Sequence, residues 1–366
     1  MKNPKFHKSF QLNGRSFSFS EEICVFSKTI SESVFDFLSD WFSKEEFIMV
    51  STSGATGIPK LIEVRKEFMK NSALATSEFF DLKENTTALM CLSPQYIAGK
   101  MMLVRALVLG WKLEMVAPSS NPLEHAINQY DFSAMVPLQL QNSLEHLNKI
   151  KTLIVGGGVV SKQLQKKLQQ RSTNVYATYG MTETVTHIAI KKLNNFNRLP
   201  KESTSRDDYF KTLPGIKIAI DTRNCLCIDA PLISKEIIVT NDVVHIISEN
   251  EFSWLGRFDH VINSGGIKLH PEIIEEKLAL IIKQRFFVAG VPDEILGEKL
   301  VLVVEGQTPL YGIEKALKIE IKELASLSKF ERPKHIYFTW PFIETATKKI
   351  QRNKTLKAVF NETRHK

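Results

Sequence analysis

Between residues 47 and 177, short apolar runs alternate with longer amphipathic stretches, and this rhythm restricts the fold more than any other feature of the chain. The runs at 47–50, 87–92, 113–117, 132–136, 152–155 and 174–177 have strand length, whereas 66–80, 100–109 and 139–148 have the length and spacing of helices. Strands separated by helices pair in parallel and carry those helices on their faces, so the predicted fold class is α/β with a largely parallel sheet. From 217 to 254 the texture changes, and short runs at 218–220, 226–228, 237–239, 243–247 and 252–254 follow one another with little helix between them. That pattern predicts a β-rich subdomain. The polar stretch 194–208 reads as a loop. Beyond Gly256-Arg-Phe-Asp259 lies a small α+β unit, with Pro271 opening a helix that runs to 284, strands at 287–291, 300–304 and 336–339, and a helix over 314–324. The expected organisation is a large N-terminal domain over 1–258 and a small mobile C-terminal domain over 259–366.

The run at 47–50, read as a buried strand, leads into Ser51-Thr-Ser-Gly-Ala-Thr-Gly-Ile-Pro-Lys60, which concentrates hydroxyls, two glycines and a lysine in one polar loop. A loop at the end of such a strand lies where α/β proteins place ligands. Gly54 and Gly57 let the backbone approach an anion, the hydroxyls of Thr52, Ser53 and Thr56 donate to phosphate oxygens, and Lys60 adds a positive charge. A Ser/Gly-rich surface turn has the same composition. A Walker loop is excluded, because Pro59 stands where its second glycine is required.

With 366 residues, 43% apolar and 24% charged, the chain has the make-up of a globular protein of two domains. No window reaches the apolar length of a membrane span, and the basic start is followed by neither an apolar core nor a small-residue cleavage site. A cytoplasmic protein with no stable membrane insertion is therefore expected. The net charge of +8 comes from lysines and arginines scattered among acids, which argues against a nucleic-acid partner. Cys24, Cys91, Cys225 and Cys227 lack metal-ligand spacing and read as structural thiols.

Further clusters follow the apolar runs. In Tyr176-Ala-Thr-Tyr-Gly-Met-Thr-Glu183, Tyr179 offers a flat face for a purine, Thr182 a donor for a phosphate oxygen and Glu183 a hard oxygen ligand for Mg²⁺. In isolation the segment also fits an ordinary strand end. Val155-Gly-Gly-Gly-Val159 lets a flat ligand lie against bare backbone, or simply turns the chain from strand to helix. Asp242, at the close of a short run, can hold both hydroxyls of a ribose, and Arg257 can add charge-assisted bonds. Alone, the first reads as a turn residue and the second as a surface cation.

Taken together, the loop 51–60, Tyr179-Gly-Met-Thr-Glu183, Thr240-Asn-Asp242 with Gly256-Arg-Phe-Asp259, and Thr345-Ala-Thr-Lys-Lys-Ile-Gln-Arg352 resemble, in order, four signatures of the adenylate-forming superfamily. That superfamily includes acyl-CoA synthetases, luciferases and the adenylation domains of peptide synthetases. The resemblance implies its fold, and it assigns Thr182 and Glu183 to catalysis, Glu183 also to the metal, Gly156 and Gly157 to the adenine pocket, Gly158 to the substrate side, Asp242 and Arg257 to the ribose and Asp259 to the hinge. It makes Lys349 the catalytic lysine, with Lys354 as the alternative register. Two residues depart from the pattern: Asn241 replaces a glycine, which bears on the turn geometry expected there, and Lys348 replaces another.

The implied reaction is attack of a carboxylate on the α-phosphate of ATP, loss of pyrophosphate, and transfer of the acyl group from AMP to a thiol after the small domain rotates about its hinge. The segments 92–99, 103–107 and 135–140 are similar to those of o-succinylbenzoate-CoA ligases of menaquinone synthesis. An aromatic dicarboxylate is thereby implied, with Tyr96 in place of the usual histidine at the gate of the acyl pocket and Arg105 either facing a second carboxylate or lying on a helix surface. The partners implied are a small-molecule carboxylate and coenzyme A, with ATP and Mg²⁺, and dimerisation is expected from the family alone. About fifty residues precede the loop, which suggests a compact form that keeps its activity. Another aryl- or acyl-CoA ligase, a free-standing adenylation enzyme and a non-catalytic nucleotide-binding relative are the alternatives.

Overall fold

The computed structural model describes residues 6–51, 60–195, 208–307, 311–345 and 350–363. Among them, thirteen strands form one sheet centred on the parallel block expected from the apolar runs. Asn174–Gly180, Ile150–Val155, Tyr130–Met135, Thr87–Met90 and Lys112–Met115 lie side by side in parallel, and Gln11–Leu12 adds to the last of them. Beyond Asn174–Gly180 every pairing is antiparallel, through His187–Lys192, Phe210–Thr212, Glu251–Arg257, Ile238–Ser248, Cys225–Asp229 and Lys217–Ile220. Alternate residues of the central strands enter different cores: Ala88, Met90 and Phe132 on one face, Leu89, Cys91 and Met135 on the other. A strand buried on both faces has to be apolar throughout, which explains the continuous runs. Phe132 is fully buried against Trp111, with ring centroids 5.4 Å apart; burying such a phenyl ring contributes roughly 1.5–3 kcal/mol.

Residues 262–339 contribute a second sheet, ordered Ile267–Leu269, Ile262–Ser264, Gly297–Glu305 and Phe286–Asp293, with His335–Thr339 parallel to Gly297–Glu305. Leu300, Leu302 and Val304 pack with Ile274 and Leu278 of the helix Pro271–Leu278, while Val301 and Val303 pack with Leu356 and Val359 of the helix Arg352–Thr363. The short turn Phe258–His260 connects the two sheets. No helix among the described residues is long and apolar enough to cross a membrane.

Several expectations require correction. The run at 47–50 is not a buried strand of the main sheet: Phe47–Ser51 pairs with Leu61–Arg65 in a hairpin of its own, and the pleat buries Ile48 and Val50 while Phe47 and Met49 stay exposed. The runs 237–239 and 243–247 are one strand, Ile238–Ser248, whose irregularities are absorbed by bulges near Val243. Asp242 is therefore inside a strand rather than at its end, and Asn241 occupies a strand position rather than the turn expected there. The helix expected over 139–148 divides at Ser143 (φ −95°, ψ 6°) into Pro137–Asn142 and a 3₁₀ turn Leu144–Lys149. The helix expected to reach 284 stops at Leu278, and tighter turns continue to Ile282, whose side chain the core accepts.

Candidate active site

The strands Ile150–Val155 and Asn174–Gly180 are parallel neighbours, so residues 156–158 and Thr182–Thr184 emerge together at the carboxyl edge of the sheet, where open α/β sheets bind ligands. Gly157 has φ +79°, and a Cβ on Gly156 would stand 2.6 Å from the Thr178 hydroxyl, so the backbone there stays bare of necessity. Gly158 and Glu183 are exposed at the same edge. The chain then folds back sharply. Thr184 Oγ1 accepts from the Met181 amide at 2.9 Å and donates to the Thr186 carbonyl at 2.7 Å, and Val185 is driven to φ +64°. A β-branched residue in that region costs on the order of 1–3 kcal/mol, strain of a kind found where a functional group must be aimed. Glu183 is thereby turned towards a cavity of about 500 Å³ that Thr182, Val185, Arg65, Phe68 and Lys235 also line.

Among the described residues no group of three His, Cys, Asp or Glu side chains could hold a metal by itself. One exposed carboxylate beside a cavity fits Mg²⁺, which retains waters and takes its other ligands from substrate phosphates.

Asp242 is buried and its carboxylate is held from three sides. Tyr179 Oη donates to it at 2.7 Å, Trp254 Nε1 donates at 3.2 Å, and the guanidinium of Arg257, its cross-strand partner, lies 3.6 Å away. Burial first, and the Asp242 carboxylate second, push the Tyr179 phenol far above its ordinary range, so the hydroxyl remains a donor. The Tyr179 ring is fixed by Phe252 and Phe210, with centroids 5.2 and 5.8 Å away. Neither the hold of Tyr179 on Asp242 nor the part of Trp254 was signalled in the sequence, since each depends on the order of strands in the sheet, which no local pattern reports.

Arg105 is on the helix Ile97–Leu109 and is 2% exposed, so it is not a helix-surface residue. Its Nε donates to Thr76 Oγ1 at 3.3 Å, Nη1 lies 3.8 Å from Met102 Sδ, and no carboxylate among the described residues pairs with it. Burial lowers its pKa to about 10. Tyr96 caps the N-terminus of the same helix and is half exposed. It lies about 13 Å from Arg105 along the helix axis, so the two are not brought together.

His187, which the sequence did not single out, is buried on the other side of Thr76, with Nε2 3.5 Å from Thr76 Oγ1. Burial and the neighbouring Arg105 charge hold its pKa well below that of an ordinary imidazole, so it is neutral in the folded protein. The unfolded chain takes up this proton near pH 6.5 and the folded chain does not, so stability falls below about pH 6.5 by up to ~1.4 kcal/mol per pH unit. Urea midpoints measured from roughly pH 7.5 down to 5.5 should drop more steeply for the native chain than for His187→Gln. Parallel curves would remove His187 as the source.

Thr52, Ser53, Gly54, Thr56, Gly57, Lys348 and Lys349 lie outside the described residues. The chain at either side of their segments is described: Ser51 pairs with Leu61, and Glu344 forms a bridge with Ile350. Lys60 is exposed, as is Lys354 on the helix Arg352–Thr363. Asp259 is exposed beside Arg257, at 3.7 Å.

Residues 37–225, just over half of the chain, match the family model for AMP-binding enzymes. A solved structure of an acyl-CoA synthetase (AMP-forming)/AMP-acid ligase II-like protein from Dyadobacter fermentans DSM 18053 is 37% identical, with 89% of this chain and 93% of that chain covered and a TM-score of 0.58. The o-succinylbenzoate CoA synthetase of Bacillus subtilis, solved with its acyl-adenylate intermediate, is 21% identical and has a TM-score of 0.72 over 84% of this chain and 68% of that one. The 2-succinylbenzoate–CoA ligase of Lactococcus lactis subsp. lactis (strain IL1403) is 24% identical over 335 residues, 86% of this chain and 71% of the relative.

Proposed function

Because the chain belongs to the AMP-binding enzyme family, we propose that it is an ATP-dependent acid–thiol ligase that converts o-succinylbenzoate to its CoA thioester through an acyl-adenylate. The observation that carries the choice of a dicarboxylate is Arg105, a buried guanidinium with no acidic partner among the described residues. An uncompensated buried charge costs several kcal/mol, and an anionic group arriving with the substrate would offset that cost. The names of the relatives in Lactococcus and Bacillus supply the particular dicarboxylate.

In this reading the adenine lies between residues 156–157 and Tyr179, and its ribose hydroxyls donate to Asp242 and accept from Arg257. Asp242 is well suited to the task, because Tyr179 and Trp254 fix the carboxylate before the nucleotide arrives. The loop 52–57, Lys60 and Thr182 bind the phosphates. Mg²⁺ held by Glu183 would offset the charge of the triphosphate. One substrate carboxylate, aligned past Gly158 and Tyr96, attacks the α-phosphorus, and the bond to the β-phosphate oxygen breaks to release pyrophosphate. Lys349 stabilises the charge that builds on the α-phosphate. Residues 259–366 then turn about Asp259, the CoA sulfur attacks the acyl carbonyl, and AMP leaves.

Asp242→Asn keeps an acceptor for Tyr179 but removes the ionised acceptor for the ribose, and it should weaken AMP binding about 10- to 100-fold by calorimetric titration. Unchanged affinity would take Asp242 out of the site. The overall reading is tested by incubating the protein with ATP, Mg²⁺, CoA and a panel of o-succinylbenzoate, benzoate and a fatty acid, and identifying products by mass spectrometry. Succinylbenzoyl-CoA with AMP is expected. Preference for benzoate or the fatty acid would overturn the substrate, an AMP ester with no CoA product would indicate a carrier-loading adenylation enzyme, and no AMP with any acid would indicate a non-catalytic relative.

A further inference from the structure

Asn241, the residue that departs from the Thr-Gly-Asp pattern, sits in the strand Ile238–Ser248 with its amide between two charged groups from distant parts of the chain. Its Oδ1 accepts from Arg223 Nη1 at 2.9 Å, and its Nδ2 donates to Asp259 Oδ2 at 3.2 Å. Arg223 is itself braced. Asp221 accepts from its Nε at 2.8 Å and from the Arg223 and Cys225 amides at 2.8 and 2.9 Å, which fixes the hairpin turn from which the arginine projects. Arg223 Nη2 donates to the Thr240 carbonyl at 3.2 Å, and the guanidinium carbon lies 5.2 Å from the centre of the Phe258 ring. The arginine thus touches the turn Phe258–His260 through Phe258 and, by way of Asn241, through Asp259.

We propose that Arg223 and Asn241 are positioning residues that latch the connection between the two sheets, holding Asp259 and Phe258 in the orientation seen here. The inference rests on the reading of Asp259 as the pivot of a two-step ligase. The chemistry of position 241 is specific. The site needs an acceptor towards a guanidinium and a donor towards a carboxylate on one short side chain, which an amide supplies and which neither glycine nor aspartate can. The latch also adjoins the nucleotide site, because Asp242 is the next residue and Arg257 lies within 4 Å of both Asp242 and Asp259, at 3.6 and 3.7 Å. Partly exposed bonds of this kind are individually modest, which suits a contact that has to break in each catalytic cycle.

The test uses hydrogen exchange of the full-length protein at residues 258–261, a measurement that needs no substrate. N241G and R223A should raise exchange there about 5- to 30-fold, with the strand Asn174–Gly180 unchanged. N241D should raise it further, by setting two carboxylates against each other. The double variant N241D/D259N should restore it, since the amide donor then comes from the other side. Unchanged exchange in N241G and N241D, or no recovery in the double variant, would overturn the latch. In activity, the ratio of thioester formation to carboxylate-dependent pyrophosphate exchange should differ from the native ratio by a similar factor in N241G, whereas a merely structural defect would lower both together. If the native protein shows no pyrophosphate exchange, the ligase reading fails while the exchange data at 258–261 still decide the latch.

Discussion

Replacing Lys349 with alanine is expected to slow adenylation about 10²–10³-fold, the usual cost of removing one preorganised donor from a developing anionic centre. Both reactants are anions, so the barrier is dominated by bringing a carboxylate up to a triphosphate and by the charge that accumulates at the α-phosphorus. A single lysine ammonium placed there acts in the transition state more than in the ground state, so ATP affinity should change little. The neighbouring chain is well anchored for such a task. Arg352 Nη2 is 2.8 Å from Glu275 and its guanidinium lies over Phe287, while Gln351 Nε2 donates to the Glu344 carbonyl at 2.9 Å. Single-turnover formation of the adenylate, measured alongside ATP binding, separates the two effects. Lys354 is exposed on the helix Arg352–Thr363, and its replacement should leave the rate nearly unchanged. If Lys354→Ala is the slow variant, the catalytic lysine has been placed in the wrong register.

Arg105→Met should produce two effects of opposite sign. Taking out of the core a guanidinium that no carboxylate among the described residues pairs with, and leaving apolar volume in its place, removes a desolvation cost, so the melting temperature should rise by a few degrees. In the proposed reading, the same change removes the receptor for the second carboxylate. Losing one partner of a buried charge pair costs about 2–5 kcal/mol, so kcat/KM for o-succinylbenzoate should fall at least roughly 30-fold and up to about 4 × 10³-fold, with little change for benzoate. Thermal melts and competition between the two acids read both effects from one preparation. A variant that keeps its preference for the dicarboxylate would show that Arg105 does not read it.

The contrast between Arg105 and the central strands shows what the sequence discloses. The runs at 132–136 and 152–155 were legible as strands because burial on both faces demands apolar residues without a break, and the parallel block follows from the helices between them. The run at 47–50 looked the same, yet only alternate side chains of Phe47–Ser51 are buried, since four apolar residues in a row do not reveal which face meets solvent. The polar pair Asn241-Asp242 suggested a break between strands, but long-range bonds from Arg223, Tyr179 and Trp254 satisfy both side chains within one strand. Contacts of this kind join residues far apart in the chain, and no local spacing encodes them. The same holds for His187 beside Thr76, and for Arg105, whose helical spacing did not show that no acid among the described residues pairs with it.

The central claim is that this chain breaks the bond between the α- and β-phosphates of ATP for the sake of a carboxylate. Exchange of radiolabelled pyrophosphate into ATP, run without CoA, isolates that step. The account predicts exchange that requires Mg²⁺ and o-succinylbenzoate, is far weaker with benzoate and falls about 10²–10³-fold in Lys349→Ala. Absence of exchange with every acid, or release of ADP and orthophosphate instead, would contradict it.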